Sequence, residues 1–447
     1  MKPHLLYIAF WFPPSRASGV YRALATVNEF LAAGWEVTVV TTTSDFFHDE
    51  IGSIDTSLLA YVPDEVDVVR VPFTLGLVGQ FDIRSMSRFS ATFPTLWAAL
   101  RRKLAPVRSL WGALEGSTTE SHQMTDNYVA WIDPMVKAGL RIDSRRPVDH
   151  VLATGNPYSS FEAARLLAGL LGVGFSVDYR DPWTIDVFTG RLENADRKTT
   201  EAERCIIDEA TACFHVNHAI ADAYRQKYPD TASKHHVAYN GYDTESIPPI
   251  SEASSGPLRL GILGTLNDRW PIEPLFKAWS DVRPSLPVGS ELILGGHLGY
   301  FSRSQDLLEA YLPDESTGFR YVGPISKVDV ADFYASLDVV VVPVPGGPMV
   351  TSGKVFEALA LGKPFVCVQS EQGGARALTE KSLLAIGAEP EPRSISAALL
   401  KATEMARNLD EATSERARSE AAKYERHRAL SPMIRLIDER AGSALKR

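Results

Sequence analysis

Residues 336–368 read SLDVVVVPVPGGPMVTSGKVFEALALGKPFVCV, which has the order strand, loop, helix, strand. Asp338–Val342 is a short apolar run rich in valine, the pattern of a strand buried on both faces. It cannot continue through 343–348, where three prolines and two glycines fall within six positions. Thr351 or Ser352 can cap a helix whose apolar side holds Val355, Phe356, Leu359 and Ala360. Gly362 ends that helix, and Lys363-Pro364 leads into a strand over Phe365–Val368. The whole is one βαβ unit with its loop at the carboxyl end of the first strand, where open α/β sheets bind ligands. The helix start offers backbone N–H groups and a positive dipole end to an anion. Lys354 adds a full charge in the first turn, and Glu357 lies on the same face three residues later.

The same grammar recurs on both sides of this unit. At the amino end, Leu5–Phe10 reads as a strand, FPPSRASGVYR as a loop, and the helix that follows stops at Gly34 before the strand Trp35–Thr42. Ser18 and Gly19 precede that helix and Arg22 lies one turn inside it, again N–H groups with a cation, suited to phosphate or carboxylate. The plainer reading is a capped helix with a surface arginine. Further strands are read at Val66–Val71, Asp149–Thr154, Phe175–Tyr179, Cys213–Val216 and His236–Tyr239. Helices are read between them, among them Glu193–Ala210 and His218–Lys227. The loop TGNPYSS carries Asn156, and YRDPWTID carries Arg180 and Asp181 at a strand end. A Pro/Ser-rich linker at 246–257 divides the chain. We expect one doubly wound domain over 1–245, with an insert at 72–146, and a second over 258–425. A last helix over 426–447 is expected to return to the first domain. In the second domain strands are read at Leu258–Leu263, Glu291–Leu294 and Phe319–Val322, with helices at Ile272–Val282, about 305–311, and Asp329–Leu337.

Composition removes several classes of function. The chain has 447 residues, 45% hydrophobic and 23% charged, ordinary for a globular protein with a large core. A formal net charge of −9 does not ask for a nucleic-acid partner. Three cysteines make neither a metal spacing nor an even disulfide set, which fits a reducing cytoplasm. The first apolar run meets Pro13-Pro14 too early to span a bilayer. The segment 94–111, PTLWAALRRKLAPVRSLW, mixes Arg and Lys with Trp and Leu. It is compatible with peripheral contact to an anionic inner membrane face. The competing reading is a pair of packed helices with a solvated basic side.

There is no Walker loop, no GxGxxG after a strand, no GxSxG elbow and no HExxH. No two aspartates stand two apart, so an Asp-x-Asp metal pair is missing, and His235-His236 has no third ligand in view. What remains resembles the GT-B glycosyltransferases of family 4, particularly bacterial members of polysaccharide or glycoconjugate assembly. The resemblance rests on FPPSRASGVYR, GWEVTVVTT, ATGNPYSSF, YRDPW, NGYD, GILGTL and above all GKVFEALALGKP, in that order.

That resemblance implies an α/β protein of two Rossmann-like domains, each a doubly wound parallel sheet, facing a cleft that closes about a hinge at Asn240-Gly241. It implies a nucleoside diphosphate sugar donor, UDP- or GDP-linked, on the second domain, and a sugar or lipid-linked sugar acceptor on the first. Glu357 matches the glutamate that takes the ribose hydroxyls, and Lys354 with Thr351, Ser352 and Gly353 matches the diphosphate ligands. Gly264, Thr265 and Arg269 match a second phosphate-side loop, and Gly323 to Ser326, including Ile325, a segment along the base. Lys354 and Arg269 are then the cations that meet the leaving diphosphate, and Asp181 is the candidate contact to acceptor or sugar. Its competing roles are a helix cap or a partner for Arg180. Ser18, Gly19, Arg22, Asn156 and Arg180 fall on the acceptor or phosphate side. No cofactor and no metal is implied, and the anomeric configuration is retained. The chain departs from the family at three points. Met349 stands where a second glutamate is common, Arg269 is half of a usual Arg…Lys pair, and TGNPYSS has Asn156 but no histidine. Two alternatives therefore stay open: a catalytically degenerate nucleotide-binding partner protein, and an epimerase or phosphorylase on the same fold. A nicotinamide enzyme lacks its glycine fingerprint.

Overall fold

The computed structural model describes residues 2–73, 126, 128–251, 253–266, 270–299, 309 and 312–444. Two parallel sheets carry the architecture. The first holds β1 (His4–Ala9), β2 (Glu36–Thr42), β3 (Asp67–Val71), β4 (His150–Gly155), β5 (Gly174–Tyr179), β6 (Ala212–His215) and β7 (His235–Val237), in the order β3-β2-β1-β4-β5-β6-β7. The second holds β8 (Arg259–Leu263), β9 (Glu291–Gly295), β10 (Phe319–Gly323), β11 (Val339–Pro343), β12 (Phe365–Val368) and β13 (Ala385–Ala388), in the order β10-β9-β8-β11-β12-β13. The central strands are buried along their whole length, which explains their largely apolar sequence, with His4, His150 and Thr154 as buried polar exceptions. Register is tight there: Leu5 faces Val37 on one side and His150 on the other, and Val341 faces Val366.

Helices connect the strands. The first set is α1 (Gly19–Ala32), α2 (Ile132–Arg145), α3 (Ser159–Leu171), α4 (Arg197–Glu209) and α5 (His218–Lys227). The second is α6 (Ile272–Val282), α7 (Val330–Ala335), α8 (Gly353–Ala360), α9 (Arg376–Thr379), α10 (Pro392–Arg407), α11 (Glu411–Ala421) and α12 (Arg426–Ala444). This is the doubly wound α/β arrangement expected, occurring twice. The chain forms two compact units, one of Met1–Asp186, Arg191–Ala238 and Leu430–Arg447, the other of Val187–Gly190 and Tyr239–Ala429. In the first unit Val20, Leu24, Phe30 and Trp35 pack with Leu430, Met433 and Ile437 of α12. The Trp35 indole also donates to Asp438 Oδ1 at 3.2 Å. In the second unit Ile262, Trp279, Leu294, Val341 and Val366 share a core with Leu399 of α10.

Several boundaries differ from the sequence reading, each for a local reason. α4 begins at Arg197 rather than Glu193, because the Asp196 carboxylate accepts from Thr199 N at 3.0 Å and caps it there. β7 stops at Val237, two residues short of the expected end. α7 is shorter than Asp329–Leu337, starting after a 3-10 turn at Lys327–Asp329 and closing at Ala335. β13 is an addition to the expected strands, since AIGA has little strand signature of its own. The helix expected near 305–311, apart from Glu309, and the basic segment 94–111 lie outside the described residues. Among the described residues no helix is long and apolar enough to cross a membrane.

Candidate functional site

In the second unit the strand order reverses between β8 and β11, so the loops after these two strands leave the sheet side by side at a topological switch point. Ser352 is the N-cap of α8, its hydroxyl accepting from Lys354 N at 3.3 Å. Thr351 immediately precedes it, and Gly353 is the first helical residue. The Lys354 ammonium donates to both oxygens of Glu357, at 2.9 and 2.7 Å. The Tyr334 hydroxyl, from α7, donates to Glu357 Oε2 at 2.6 Å. Exposure grades across the trio: Tyr334 is 1% exposed, the Glu357 side chain 15% and that of Lys354 32%. Burial and the neighbouring carboxylate push the Tyr334 pKa well above its ordinary value, so this hydroxyl stays a donor.

Three glycine loops meet at the carboxyl ends of β8, β9 and β10. Gly264 N donates to Gly295 O at 3.0 Å, and Gly296 N to Gly323 O at 2.8 Å. A side chain at Gly296 would put its Cβ 1.9 Å from the Gly264 oxygen, and the φ of +134° there is glycine's own. Ile325 and Phe333 lie against Gly295, where an added Cβ would stand 2.8 and 3.2 Å from them. Gly264, Thr265, Gly323 and Ile325 therefore belong to one rim, while Arg269 lies outside the described residues. Met349 is buried in the loop before α8.

The groups that support this loop are absent from the sequence reading. Gln369, just past β12 and buried, donates to Val350 O at 3.1 Å and accepts from Ala375 N at 2.9 Å. Tyr334, which bonds Glu357, and Lys363 are two further supporting groups to which the sequence gives no role. By sequence Lys363 belongs only to the exit from a helix, yet its buried ammonium donates to Tyr334 O at 2.9 Å, Ala335 O at 3.1 Å and Leu337 O. A polar side chain directly after a strand, and a lysine inside an apolar run, are the only signals the sequence offers for them.

In the first unit, three loops converge on Arg180. Its Nε donates to Gly155 O at 2.7 Å and its Nη2 to Asn156 O at 3.3 Å. The guanidinium also lies against Gly19, where an added Cβ would fall 1.5 Å from Nη1. Gly19, Asn156 and Arg180 are thus brought together at the carboxyl ends of β1, β4 and β5. Ser18 and Asp181 are exposed beside them, and Asp181 offers its backbone oxygen to the Tyr158 hydroxyl at 3.1 Å.

Arg22 is the correction in this group. Its place beside a loop suggests an anion ligand, but it is 3% exposed and forks onto Asp178, Nε to Oδ2 and Nη2 to Oδ1, both at 2.7 Å. A third bond runs to Ala238 O at 3.0 Å. The guanidinium is committed inward, 156 residues away in sequence from its carboxylate.

The loop bearing Arg180 and Asp181 is itself clamped. Trp183 stacks on Tyr158 with ring centroids 5.0 Å apart. Thr184 donates to the buried Glu203, which also accepts from Tyr224 at 2.6 Å and Tyr228 at 3.0 Å. Burial raises the Glu203 pKa despite these donors and the nearby Lys227. His235, of the adjacent pair that has no third metal ligand in view by sequence, is buried and 2.9 Å from His215, ring nitrogen to ring nitrogen. Among the described residues no group of three or more His, Cys, Asp or Glu could hold a metal ion.

Residues 257–404, a third of the chain, match the family model described as glycosyl transferases group 1. No curated protein matches. Among solved structures, sucrose-phosphate synthase of Thermosynechococcus elongatus aligns with TM-score 0.63 and 15% identity over 98% of this chain and 99% of that one. Alr3699/HepE of Anabaena, solved with UDP and glucose, aligns with TM-score 0.59 and 14% identity over 99% of both chains. A putative UDP-N-acetylglucosamine 2-epimerase from Listeria monocytogenes aligns with TM-score 0.53 and 12% identity over 97% of this chain and 95% of that one. At these identities the likeness concerns the fold, two Rossmann-like domains of GT-B type, on which more than one reaction runs.

Proposed function

We propose that this chain, whose residues 257–404 match the glycosyl transferases group 1 model and whose fold is of GT-B type, moves a glycosyl group from a nucleoside diphosphate sugar to a hydroxyl acceptor. The observation that carries this reading is the Glu357 carboxylate, oriented by Tyr334 and fronted by Lys354 at the start of α8. A carboxylate accepts from both hydroxyls of a vicinal diol, which a ribose presents. A lysine and helix N–H groups beside it suit the diphosphate that follows the ribose. Gly264, Thr265, Gly323 and Ile325 complete the donor rim, UDP or GDP being the favoured nucleotides. HepE was solved with UDP, which supports a nucleotide on this fold.

The demanding step is departure of the nucleoside diphosphate. Negative charge grows on its β-phosphate as the sugar takes on oxocarbenium character. Lys354 and the N–H groups opening α8 are the donors offered to that charge, and Arg269 is the second cation assigned to it by sequence. The reaction retains anomeric configuration, the leaving phosphate taking the acceptor proton. It needs no metal, a reading supported by the lack of any Asp-x-Asp pair in the sequence. Gly19, Asn156, Arg180 and Asp181 serve the acceptor side, a sugar or lipid-linked sugar.

Calorimetric titration with UDP, GDP, ADP and TDP in EDTA, on wild type and Glu357→Ala, tests the donor site. The expected result is micromolar affinity for one nucleotide, reduced at least tenfold in the variant. Absence of binding by all four would overturn the transferase reading.

A further inference from the structure

The three groups that meet at Glu357 are not equivalent. The Lys354 ammonium sits on the solvent side of the carboxylate, on a four-carbon stem that is a third exposed. It is a partner that a ligand can displace. The Tyr334 hydroxyl sits on the protein side, on a ring that is 1% exposed and belongs to the same buried apolar cluster as Leu337, Phe356 and Leu359. It has a single proton to give, and gives it to Oε2. A vicinal diol arriving from solvent would take the lone pairs that Lys354 now occupies and leave the tyrosine bond standing.

Tyr334 is fixed at its other polar end by the same strand–helix–strand unit. Lys363 follows Gly362, whose φ of +67° turns the chain out of α8. Its ammonium has three protons and meets three carbonyls at the end of α7, that of Tyr334 among them. A cation collecting the last carbonyls of a helix also complements the negative end of its dipole. Lys363 thus fixes the backbone from which the Tyr334 ring projects, and Tyr334 fixes the carboxylate.

We propose that Tyr334 and Lys363 are positioning residues for nucleotide recognition: Lys363 anchors the end of α7, and Tyr334 holds Glu357 Oε2 so that the carboxylate presents its free lone pairs to a ribose diol. Neither residue touches the nucleotide. The proposal rests on the reading of Glu357 as a ribose ligand and makes a demand of its own. Removing the tyrosine hydroxyl must erode the preference for a ribose diol, rather than weaken binding in general.

The test compares a ribonucleoside diphosphate with its 2′,3′-dideoxy counterpart on wild type, Tyr334→Phe and Lys363→Met, using the nucleotide that wild type binds best. Phenylalanine keeps the ring and its packing, so Tyr334→Phe isolates the hydroxyl. Wild type is expected to prefer the ribonucleotide by about tenfold, the worth of a strong hydrogen bond to a charged group. In Tyr334→Phe that preference should fall to about twofold, with affinity for the dideoxy compound unchanged. Lys363→Met should shift the ratio in the same direction. An unchanged ratio in Tyr334→Phe, or equal weakening of both nucleotides, overturns the positioning role while leaving the donor site intact. Wild type binding neither nucleotide overturns the donor-site reading and this inference with it.

Discussion

Arg22 shows how far a residue's partner can lie from its neighbours in sequence. A fork of two 2.7 Å bonds onto Asp178, inside a shell that leaves both side chains at most 3% exposed, makes each ion dependent on the other. Arg22→Met should leave a carboxylate buried without its counterion and lower stability by about 3–5 kcal/mol. The double variant Arg22→Met/Asp178→Leu should recover most of that loss. Urea denaturation checks both, and a double variant as unstable as the single one would show that the pair stabilises the fold outright. At this scale the sequence is legible only in part. Strand–loop–helix order places an arginine one turn into a helix beside a loop, and the structure has it there. The direction of its side chain depends on a strand 156 residues away, which no local pattern reports. Lys354 and Glu357 are legible because helical spacing alone puts them on one face. Tyr334 is not, because it belongs to another helix.

At the scale of elements, strands and helices announce themselves by period, and the loops by glycine and proline. What keeps a loop in place is less visible. The segment before α8 is joined to the end of β12 by Gln369, which satisfies the Val350 carbonyl and the Ala375 N–H with one buried amide. A glutamine next to a strand end has no motif around it. Its importance comes from the rule that a buried carbonyl or N–H must find a partner. Gln369→Met preserves volume and removes these bonds together with a longer one to Pro345 O at 3.4 Å. It should lower stability in urea by about 2 kcal/mol and weaken nucleotide binding several-fold, since Val350 leads directly into Thr351–Gly353. Stability and affinity equal to wild type would show that the loop is held by its own turns. The extent of α7 follows the same logic. Apolar periodicity suggests a longer helix, but the Lys363 ammonium takes the carbonyls at its end and closes it there.

Across the whole molecule, the doubled α/β plan is readable from the sequence because each domain repeats buried valine-rich strands with helices between them. The distribution of buried titratable groups is not, because burial of a polar side chain leaves no periodic trace. His150, His215 and His235 are all buried in the first unit. Burial pushes the His235 pKa from 6.5 down to about 4, helped by Arg225, His236 and Lys234, and holds that of His215 well below its ordinary value. A histidine whose folded pKa is depressed is neutral in the fold but binds a proton in the unfolded chain, beginning near pH 6.5. Stability from such a group is therefore present above that pH and is lost as pH falls toward 4. Glu203 and Asp126, whose pKa values burial raises, act in the opposite direction, so the net slope mixes the two. The double variant His215→Phe/His235→Phe isolates the histidine part, replacing a stacked pair without orphaning either ring. Between about pH 7 and pH 5, wild type should lose on the order of 2 kcal/mol more than the variant through His235 alone, because each tenfold difference in proton affinity between folded and unfolded chain is worth about 1.36 kcal/mol. Urea midpoints at the two pH values measure this difference. Parallel losses in wild type and variant would mean that the two imidazoles take up protons in the fold as readily as in the unfolded chain, so that both are charged at pH 5. The 2.9 Å contact between their nitrogens would then have to be shared by two cations, which Coulomb repulsion at that distance opposes.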